Sequence, residues 1–246
     1  MVRGLLASGS SMHRALLLLC ALALPVAAAD LTPPVITPNV SGEAGENGWF
    51  VSDVALAWSV SDGDSAARIR SGCESTFLTE DTPGDTFLCT AASLGGGASS
   101  SYTIRRDTKP PVVSYTQNAG TYAVDQPVSI RCTASDAVSG IATTTCAPIR
   151  APAYTFPLGL NTFATTAIDR AGNHSEGSVT FRIIVTPASL GTLVDVWVTN
   201  ERVARNLRHH IARGNNAGFV AVVVRETGRS ISGHHAAELI RLAAGL

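Results

Sequence analysis

Carboxylate and amide side chains near two turns in the middle of the chain could bind a metal ion. Asp136 ends the stretch Cys132-Thr-Ala-Ser-Asp136, while Asp169 and Asn173 flank the turn Asp169-Arg-Ala-Gly-Asn173. Ca²⁺ takes carboxylate and amide oxygens as ligands, so Asp136, Asp169 and Asn173 are candidate Ca²⁺ ligands. The alternative is a structural role, since Asp and Asn are the ordinary residues of turns and bond their own backbone there.

Two aromatic positions could form a sugar-binding platform. Trp49, which Phe50 follows, and Tyr122 occupy matching places of a sequence repeat. Aromatic rings offer large flat apolar surfaces, so Trp49 and Tyr122 are candidate ligand-binding residues. The alternative is that both rings cover the open end of a small core.

Other residues carry no enzyme signature. His209-His210 and His234-His235 are adjacent pairs near the end of the chain, and neighbours on a helix point about 100° apart, which makes one pair a poor two-ligand site. The chain has no Gly-x-Ser-x-Gly, no His-Glu-x-x-His, no phosphate-binding loop and no Cys-x-x-Cys. We therefore expect a non-enzymatic protein that needs no cofactor, with Ca²⁺ as the one candidate ion.

The first 29 residues have the layout of a secretory signal peptide. Arg14 precedes the apolar run Ala15–Leu24, Pro25 ends that run, and Ala27-Ala-Ala29 offers a small-residue cleavage site before Asp30. The run is too short to cross a hydrocarbon core of about 30 Å, and no later segment is long and apolar enough. We expect a secreted, extracellular protein whose mature form has no transmembrane span.

Composition narrows the classes of partner. The 246 residues are 45% hydrophobic and 15% charged, with a net charge of −1, so the chain is neither disordered nor attracted generally to nucleic acid. We expect binding to an extracellular surface, a polysaccharide or another secreted protein, or service as a spacer. The alternative is an accessory, carbohydrate- or partner-binding module of an extracellular hydrolase system.

A repeat sets the architecture that must position these residues. Asp30-Leu-Thr-Pro-Pro-Val-Ile36 recurs 77 residues later as Asp107-Thr-Lys-Pro-Pro-Val-Val113, and the alternating stretches Val54–Asp62 and Val128–Asp136 also match. Short strands separated by turn residues indicate a β-sandwich. We predict immunoglobulin-like sandwiches at 30–108 and 109–186, with each Pro-Pro pair stiffening the joint before its repeat.

The cysteines support this division. Loss of Cys20 with the signal peptide leaves four, and four cysteines in an exported chain allow three disulfide pairings. Cys73 and Cys146 occupy matching places after the second strand of each repeat, whereas other residue types replace Cys89 and Cys132 in the sister repeat. We therefore predict Cys73–Cys89 and Cys132–Cys146, each within its own repeat.

Residues 187–246 change to helical periodicity. Leu190 to Trp197 have helical spacing, Asn200 can cap a helix from Glu201 to about Arg213, and Ser232 can cap a last helix. The apolar segment 219–224 could be a helix or a strand. The inner face of the last helix would hold Ala236, Leu239, Ile240, Ala243 and Leu246. A small C-terminal α-helical bundle of three or four helices is the simplest prediction.

Two family resemblances accompany these patterns. Thr32-Pro-Pro-Val-Ile36, Trp58-Ser-Val-Ser-Asp62, Cys132-Thr-Ala-Ser-Asp-Ala-Val-Ser-Gly-Ile141 and Asp169-Arg-Ala-Gly-Asn173 are similar to bacterial immunoglobulin-like repeats, close to hyalin-repeat modules. The resemblance implies spacers, adhesins or accessory parts of secreted enzymes. Ser93-Leu-Gly-Gly-Gly97 replaces the Asp169–Asn173 turn in the first repeat, so any site on that turn is expected in the second repeat.

The C-terminal segment resembles a second family. Ala204-Arg-Asn-Leu207, Ala212-Arg-Gly-Asn215 and Ala237-Glu-Leu-Ile240 look like the small helical domain called FIMAH, which ends many secreted bacterial proteins. The resemblance implies a separate helical domain at 187–246 that follows the repeats. It names no ligand.

Overall fold

The computed structural model describes residues 29–246, so the predicted signal peptide, apart from Ala29, lies outside the described residues. The strands are β1 Val35–Ser41, β2 Val54–Ser61, β3 Arg68–Ser71, β4 Thr76–Leu78, β5 Thr82–Ser93, β6 Gly96–Arg106, β7 Val112–Thr116, β8 Thr121–Ala123, β9 Pro127–Ser135, β10 Ile141–Thr144, β11 Ile149–Pro152, β12 Gly159–Asp169 and β13 His174–Ile184. The helices are α1 Pro187–Trp197, α2 Glu201–Ala212, α3 Asn216–Glu226 and α4 Gly233–Ala243. The predicted fold class is confirmed: all-β immunoglobulin-like sandwiches in tandem precede a small α-helical bundle.

The first sandwich combines a sheet of order β1-β2-β4 with a sheet of order β3-β5-β6. Alternation along β2 buries Val54 and Leu56 completely, while the intervening Ala55 keeps some exposure. With Ile104 of β6, Val54 and Leu56 form the buried cluster of this sandwich. Because so small a core supplies little stability, a covalent cross-link matters here.

The second sandwich combines a sheet of order β7-β9-β11 with a sheet of order β10-β12-β13-β8. Its core is larger. Val128 and Ile130 of β9 lie in one hydrophobic cluster with Phe181 and Ile183 of β13. The edge strand β8 joins β13 in parallel through the register of Tyr122 with Ile183.

Each sandwich contains the disulfide that its repeat predicts. Cys73 bonds to Cys89 at a sequence separation of 16, and Cys132 bonds to Cys146 at a separation of 14. The first bond fixes the turn after β3 to β5. The second fixes β9 to the segment that crosses between β10 and β11.

The helices begin where side chains can satisfy their free backbone N–H groups. The Asn200 side chain accepts from the backbone N–H groups of Arg202 and Val203 and so caps α2. Thr186 caps α1 through a reciprocal bond with Ser189.

The two later helices settle an open alternative and correct a detail. Residues 219–224 are helical, because α3 spans Asn216–Glu226 with an Asn215 cap, and Ser232 caps α4 as predicted. Leu246 was predicted on the inner face, but it is 43% exposed and Leu242 is buried instead. The helix ends before Leu246, so helical spacing no longer directs that side chain inward.

One hydrophobic cluster runs from the second sandwich into the bundle without a break. The Tyr154 ring stands edge-on to Trp197 with centroids 4.8 Å apart, and the Tyr154 carbonyl accepts from the Arg241 guanidinium. The domain boundaries at 108/109 and 186/187 remain predictions, and the second one separates segments that share this cluster. No helix in residues 29–246 is long and apolar enough to cross a membrane.

Candidate metal centre at the junction of the sandwiches

The sandwiches meet at a junction built from residues 45–50, 105–111, 136–140 and 169–173. The Asp107 N–H donates to the Phe50 carbonyl at 2.9 Å, and the Phe50 N–H donates to the Arg105 carbonyl at 2.9 Å. Across the junction, the Glu46 N–H donates to the Ala171 carbonyl at 2.8 Å. Backbone hydrogen bonds thus hold the linker to the first sandwich and a first-sandwich loop to the second.

A buried arginine anchors the linker further. The Arg106 guanidinium contacts Asp81 at 2.7 Å and Asp53 at 2.6 Å, and its Nε donates to the Ser52 carbonyl. The Asp81 carboxylate also accepts from the Thr108 N–H at 3.0 Å. Because Arg106 and Asp81 are each only 7% exposed in their side chains, this pairing fixes the chain where it leaves β6.

Three carboxylates converge inside the junction. Asp107, Asp136 and Asp169 each offer an oxygen, and these oxygens lie within 4.8 Å of one another. Asp107 and Asp169 have no exposed surface. Oxygens that share a Ca²⁺ at 2.3–2.6 Å can lie up to roughly 5 Å apart across the ion, so the spacing fits one hard divalent cation. Such an ion would offset the mutual repulsion of the carboxylates.

Backbone donors hold the first two carboxylates. Asp107 accepts from the N–H groups of Lys109 at 3.1 Å and Ser139 at 3.0 Å, which links the linker to the second sandwich. Asp136 accepts from the N–H groups of Val138 at 3.1 Å and Gly140 at 2.7 Å. Burial raises the pKa of Asp136, but the donors at Gly140, Val138 and Ser139 together outweigh burial and leave that pKa below its ordinary value.

The Asn173 side chain connects the linker to the turn that holds Asp169. Its amide nitrogen donates to the carbonyls of Asp107 at 3.0 Å and Lys109 at 3.3 Å, and to the Asp169 carboxylate at 2.9 Å. Two carbonyl acceptors require an N–H₂ group on that side of the amide. Asn173 therefore holds the linker to the Asp169 turn through its amide nitrogen, while a ligand role for its amide oxygen stays a prediction of the sequence.

Asp107 is the third carboxylate of this centre and was not among the candidate ligands predicted from the sequence. The signal was present in the repeated phrase, since Asp107 and Asp30 both stand three residues before the Pro-Pro pair. The prolines drew attention to the linker as a joint. Only the fold shows that the linker carboxylate turns into the second sandwich.

The first repeat has an incomplete counterpart. Asp30 accepts from the Ser65 hydroxyl and the Gly95 N–H, and Asp62 lies close enough to Asp30 for their charges to interact. The Ser65 hydroxyl is the largest cause of a lowered Asp30 pKa. Ser93 stands in the turn that supplies Asp169 in the second repeat. That turn therefore adds no carboxylate to Asp30, Asp62 and the nearby Asp64, and these three do not lie close enough together to share a metal ion.

The aromatic pair does not form a binding platform. Trp49 is 8% exposed and Tyr122 is 6% exposed. The Tyr122 hydroxyl accepts from the Ala119 N–H at 2.9 Å, and its ring stands edge-on to Phe181. The structure contradicts the candidate ligand-binding role of Trp49 and Tyr122 and supports the alternative, in which both rings fill the interior.

The histidine pairs stay separate from this centre. His209 and His210 lie in α2, and His234 and His235 lie in α4. Among the described residues, Asp107, Asp136 and Asp169 are the only group of three His, Cys, Asp or Glu side chains close enough to share a metal ion. The His235 ring instead stacks on Trp197 at a centroid distance of 4.5 Å.

Comparison with known proteins yields structural similarity alone. No protein-family model and no curated protein sequence matches the chain. The N-terminal eight immunoglobulin domains of Down syndrome cell adhesion molecule match at 17% identity and a TM-score of 0.37, over 61% of this chain and 25% of that one. Sidekick-1 immunoglobulin domains 1–5 match at 14% identity and a TM-score of 0.37, over 63% of this chain and 39% of that one. The titin segment A168–A169 matches at 12% identity and a TM-score of 0.29, over 63% of this chain and 100% of that one. Similarity at this level assigns neither a relative nor a function.

Proposed function

We propose that the chain is a secreted, non-enzymatic protein that binds an extracellular surface, a polysaccharide or another exported protein, or spaces such partners apart. The junction carries this proposal. The Asp107 carboxylate accepts from the Ser139 N–H, the Asn173 amide donates to the Asp107 carbonyl, and the Glu46 N–H donates to the second sandwich. Two sandwiches joined in this way form a stiff rod, which suits a protein that binds a partner or holds two partners apart.

The chemistry of the junction favours binding over catalysis. Its carboxylates are occupied by backbone donors at Ser139, Gly140 and Asn173, and a general acid or base must exchange its proton with substrate. Buried groups held by structural donors are poorly placed for that exchange. An accessory module of an extracellular hydrolase system remains the second candidate, because the same rod could carry a partner enzyme to an insoluble substrate.

Ca²⁺ binding at Asp136, Asp169 and Asn173 remains a prediction of the sequence, and we add Asp107 as a candidate ligand because its carboxylate lies with those of Asp136 and Asp169. Ca²⁺ that binds the folded chain raises the melting temperature as its concentration exceeds the dissociation constant. We expect millimolar Ca²⁺ to raise the melting temperature, a chelator to reverse the rise, and Asp136→Asn to abolish it. If neither Ca²⁺ nor chelator changes the melting temperature, the carboxylates do not bind Ca²⁺ and act only as hydrogen-bond acceptors that stabilise the junction.

A pull-down experiment tests the main proposal. The chain, with its disulfides intact, is incubated with insoluble polysaccharides and with cell envelope of the producing organism, and bound protein is measured against concentration. The account predicts saturable binding to at least one of them. Absence of binding to every surface, together with substrate turnover by the purified chain, would contradict it. Variants at Trp49 or Tyr122 are unsuitable here, because both residues are interior.

A further inference from the structure

An open cleft lies between the two sheets of the second sandwich. Its volume is about 320 Å³, and its lining includes Tyr115, Ile149, Phe156, Phe163 and Thr165. Phe163 lies on the inward face of β12, between Asn161 and Thr165, which are buried, yet it is 38% exposed. An inward-facing phenylalanine this open marks a place where the described chain leaves the seam between the sheets unfilled.

Both strands beside the cleft have a free edge within residues 29–246. β11 is the terminal strand of the order β11-β9-β7. β12 pairs with β10 at residues 167–169, and the Thr166 carbonyl accepts from the Thr145 N–H, while residues 159–168 pair with β13 on the other side. The free edge of β12 is therefore residues 159–165. Free strand edges offer unpaired N–H and C=O groups to an incoming strand.

Prolines determine which groups of β11 face outward. Pro152 is opposite Pro127, and neither residue has an N–H, so they cannot form a hydrogen-bonded pair. The Ala153 N–H donates to the Gln126 carbonyl at 2.8 Å, so these two residues form a hydrogen-bonded pair. Hydrogen-bonded and non-hydrogen-bonded pairs alternate along an antiparallel ladder, so Arg150 and Ser129 form a non-hydrogen-bonded pair. The N–H and C=O of Arg150 therefore point away from β9, toward the free edge.

Two arginines put positive charge beside this edge. Arg150 is opposite Ser129, and Arg131 follows two residues later on β9, a diagonal separation of about 7–8 Å. Both side chains are exposed. In residues 29–246, neither guanidinium lies within ion-pair distance of a carboxylate. The charge is free to meet an acidic partner.

We propose that this edge and cleft form a strand-addition site for an extended segment of another exported protein, with one large apolar side chain flanked by acidic residues. The proposal rests on the proposed binding function and names a site and partner class for it. The Arg150 backbone would bond the added strand, the cleft beside Phe163 would take the apolar side chain, and Arg131 and Arg150 would face the acidic residues. Because Pro152 has no N–H, Arg150 is the one residue of β11 with both an outward N–H and an outward C=O, so the cleft and the arginines supply affinity as well as selectivity.

A segment of the chain itself has this chemistry and serves as a probe. Residues 74–82 read Glu-Ser-Thr-Phe-Leu-Thr-Glu-Asp-Thr, and Phe77 is 65% exposed on the edge strand β4. A synthetic peptide of this sequence presents one phenylalanine between acidic residues. It also models a second copy of the chain, which is the competing occupant.

The test is a titration of the ¹⁵N-labelled chain with this peptide, followed by amide chemical shifts. We expect saturable shifts at residues 149–151 and 163–165. Replacing the peptide phenylalanine with alanine should weaken binding at least about tenfold, since a buried ring is lost. Arg150→Gln should weaken binding about two- to fivefold. The matched control Arg182→Gln, an exposed arginine on the outer face of β13, should leave it unchanged.

Three results would overturn the proposal. The first is that saturating peptide leaves the amide shifts of residues 149–151 and 163–165 unchanged. The second is that Arg182→Gln weakens binding as much as Arg150→Gln. Sedimentation could show self-association that Phe77→Ala and Arg150→Gln both abolish, which would assign the site to a second copy. Failure of the peptide while the chain still binds an envelope or polysaccharide removes this site and leaves the proposed function standing.

Discussion

Replacing Asp107 with alanine removes the carboxylate that connects the linker to the second sandwich. Its two backbone donors, at Lys109 and Ser139, lose their acceptor. Ser139 is only 3% exposed, so leaving its N–H without an acceptor costs roughly 1–3 kcal/mol. The Lys109 N–H is more accessible, and water can replace part of its lost bond. Relief of repulsion from the neighbouring carboxylates offsets some of this cost. We expect a net destabilisation of about 2 kcal/mol.

Urea denaturation and thermal melting in the presence of chelator measure this loss without any contribution from Ca²⁺. For a chain of roughly 150–250 residues that unfolds as one cooperative unit, a loss of about 2 kcal/mol corresponds to a fall of roughly 4–8 °C in melting temperature. Asp30→Ala is the matched control, because Asp30 holds the same place in the repeated phrase but is only partly buried. We expect a smaller loss there.

A particular result would refute this reasoning. If Asp107→Ala were as stable as the parent chain in chelator, or more stable, repulsion among the carboxylates would outweigh the hydrogen bonds. The junction would then depend on a bound cation. Equal losses for Asp107→Ala and Asp30→Ala would show that the buried bonds across the junction stabilise the chain no more than the partly exposed bonds of Asp30 within the first sandwich.

Three further predictions concern the staples of the fold. Replacing Cys132 and Cys146 together with serine should cost about 3 kcal/mol in urea denaturation for a loop of this length; an unchanged midpoint would contradict the loop-closure argument. Gly45→Ala places a methyl group against a backbone carbonyl of the second sandwich, whereas Gly63→Ala meets open space, so only the first should speed proteolysis within the junction. The lowered pKa of Asp136 means that its stabilisation is complete above pH 3.8 and is lost as pH falls through the lower folded-state value. Asp136→Asn should therefore make the free energy of unfolding less dependent on pH at acid pH. An unchanged pH dependence would contradict the role of the backbone donors at Gly140, Val138 and Ser139.

Repetition made much of the fold predictable. The matching Pro-Pro phrases and alternating strands defined two sandwiches, and the mismatch of Cys89 and Cys132 between repeats selected the disulfide pairing found in the structure. Polar caps at Asn200 and Ser232 placed two helix starts. The run 219–224 stayed ambiguous because valines serve a buried strand and a buried helix equally well.

The site was less predictable because it depends on contacts between distant segments. Asp136 and Asp169 come from turns that sequence alone could mark, but Asp107 joins them only after the linker folds back on the second sandwich. The Asn173 amide nitrogen bonds two linker carbonyls, a contact that no local sequence pattern could indicate. Trp49 was predicted at the surface as one alternative, and no local pattern reveals that its ring lies inside.

The central claim is that the two sandwiches behave as one stiff rod. The most direct test is ¹⁵N relaxation of the disulfide-intact chain, in which backbone amides of β2 and β6 are compared with those of β9 and β13. The account predicts one common, anisotropic rotational tumbling for both sets of amides. Two separate and shorter correlation times, one for each sandwich, would contradict it, because the hydrogen bonds of the junction would then fail to hold the sandwiches together in solution.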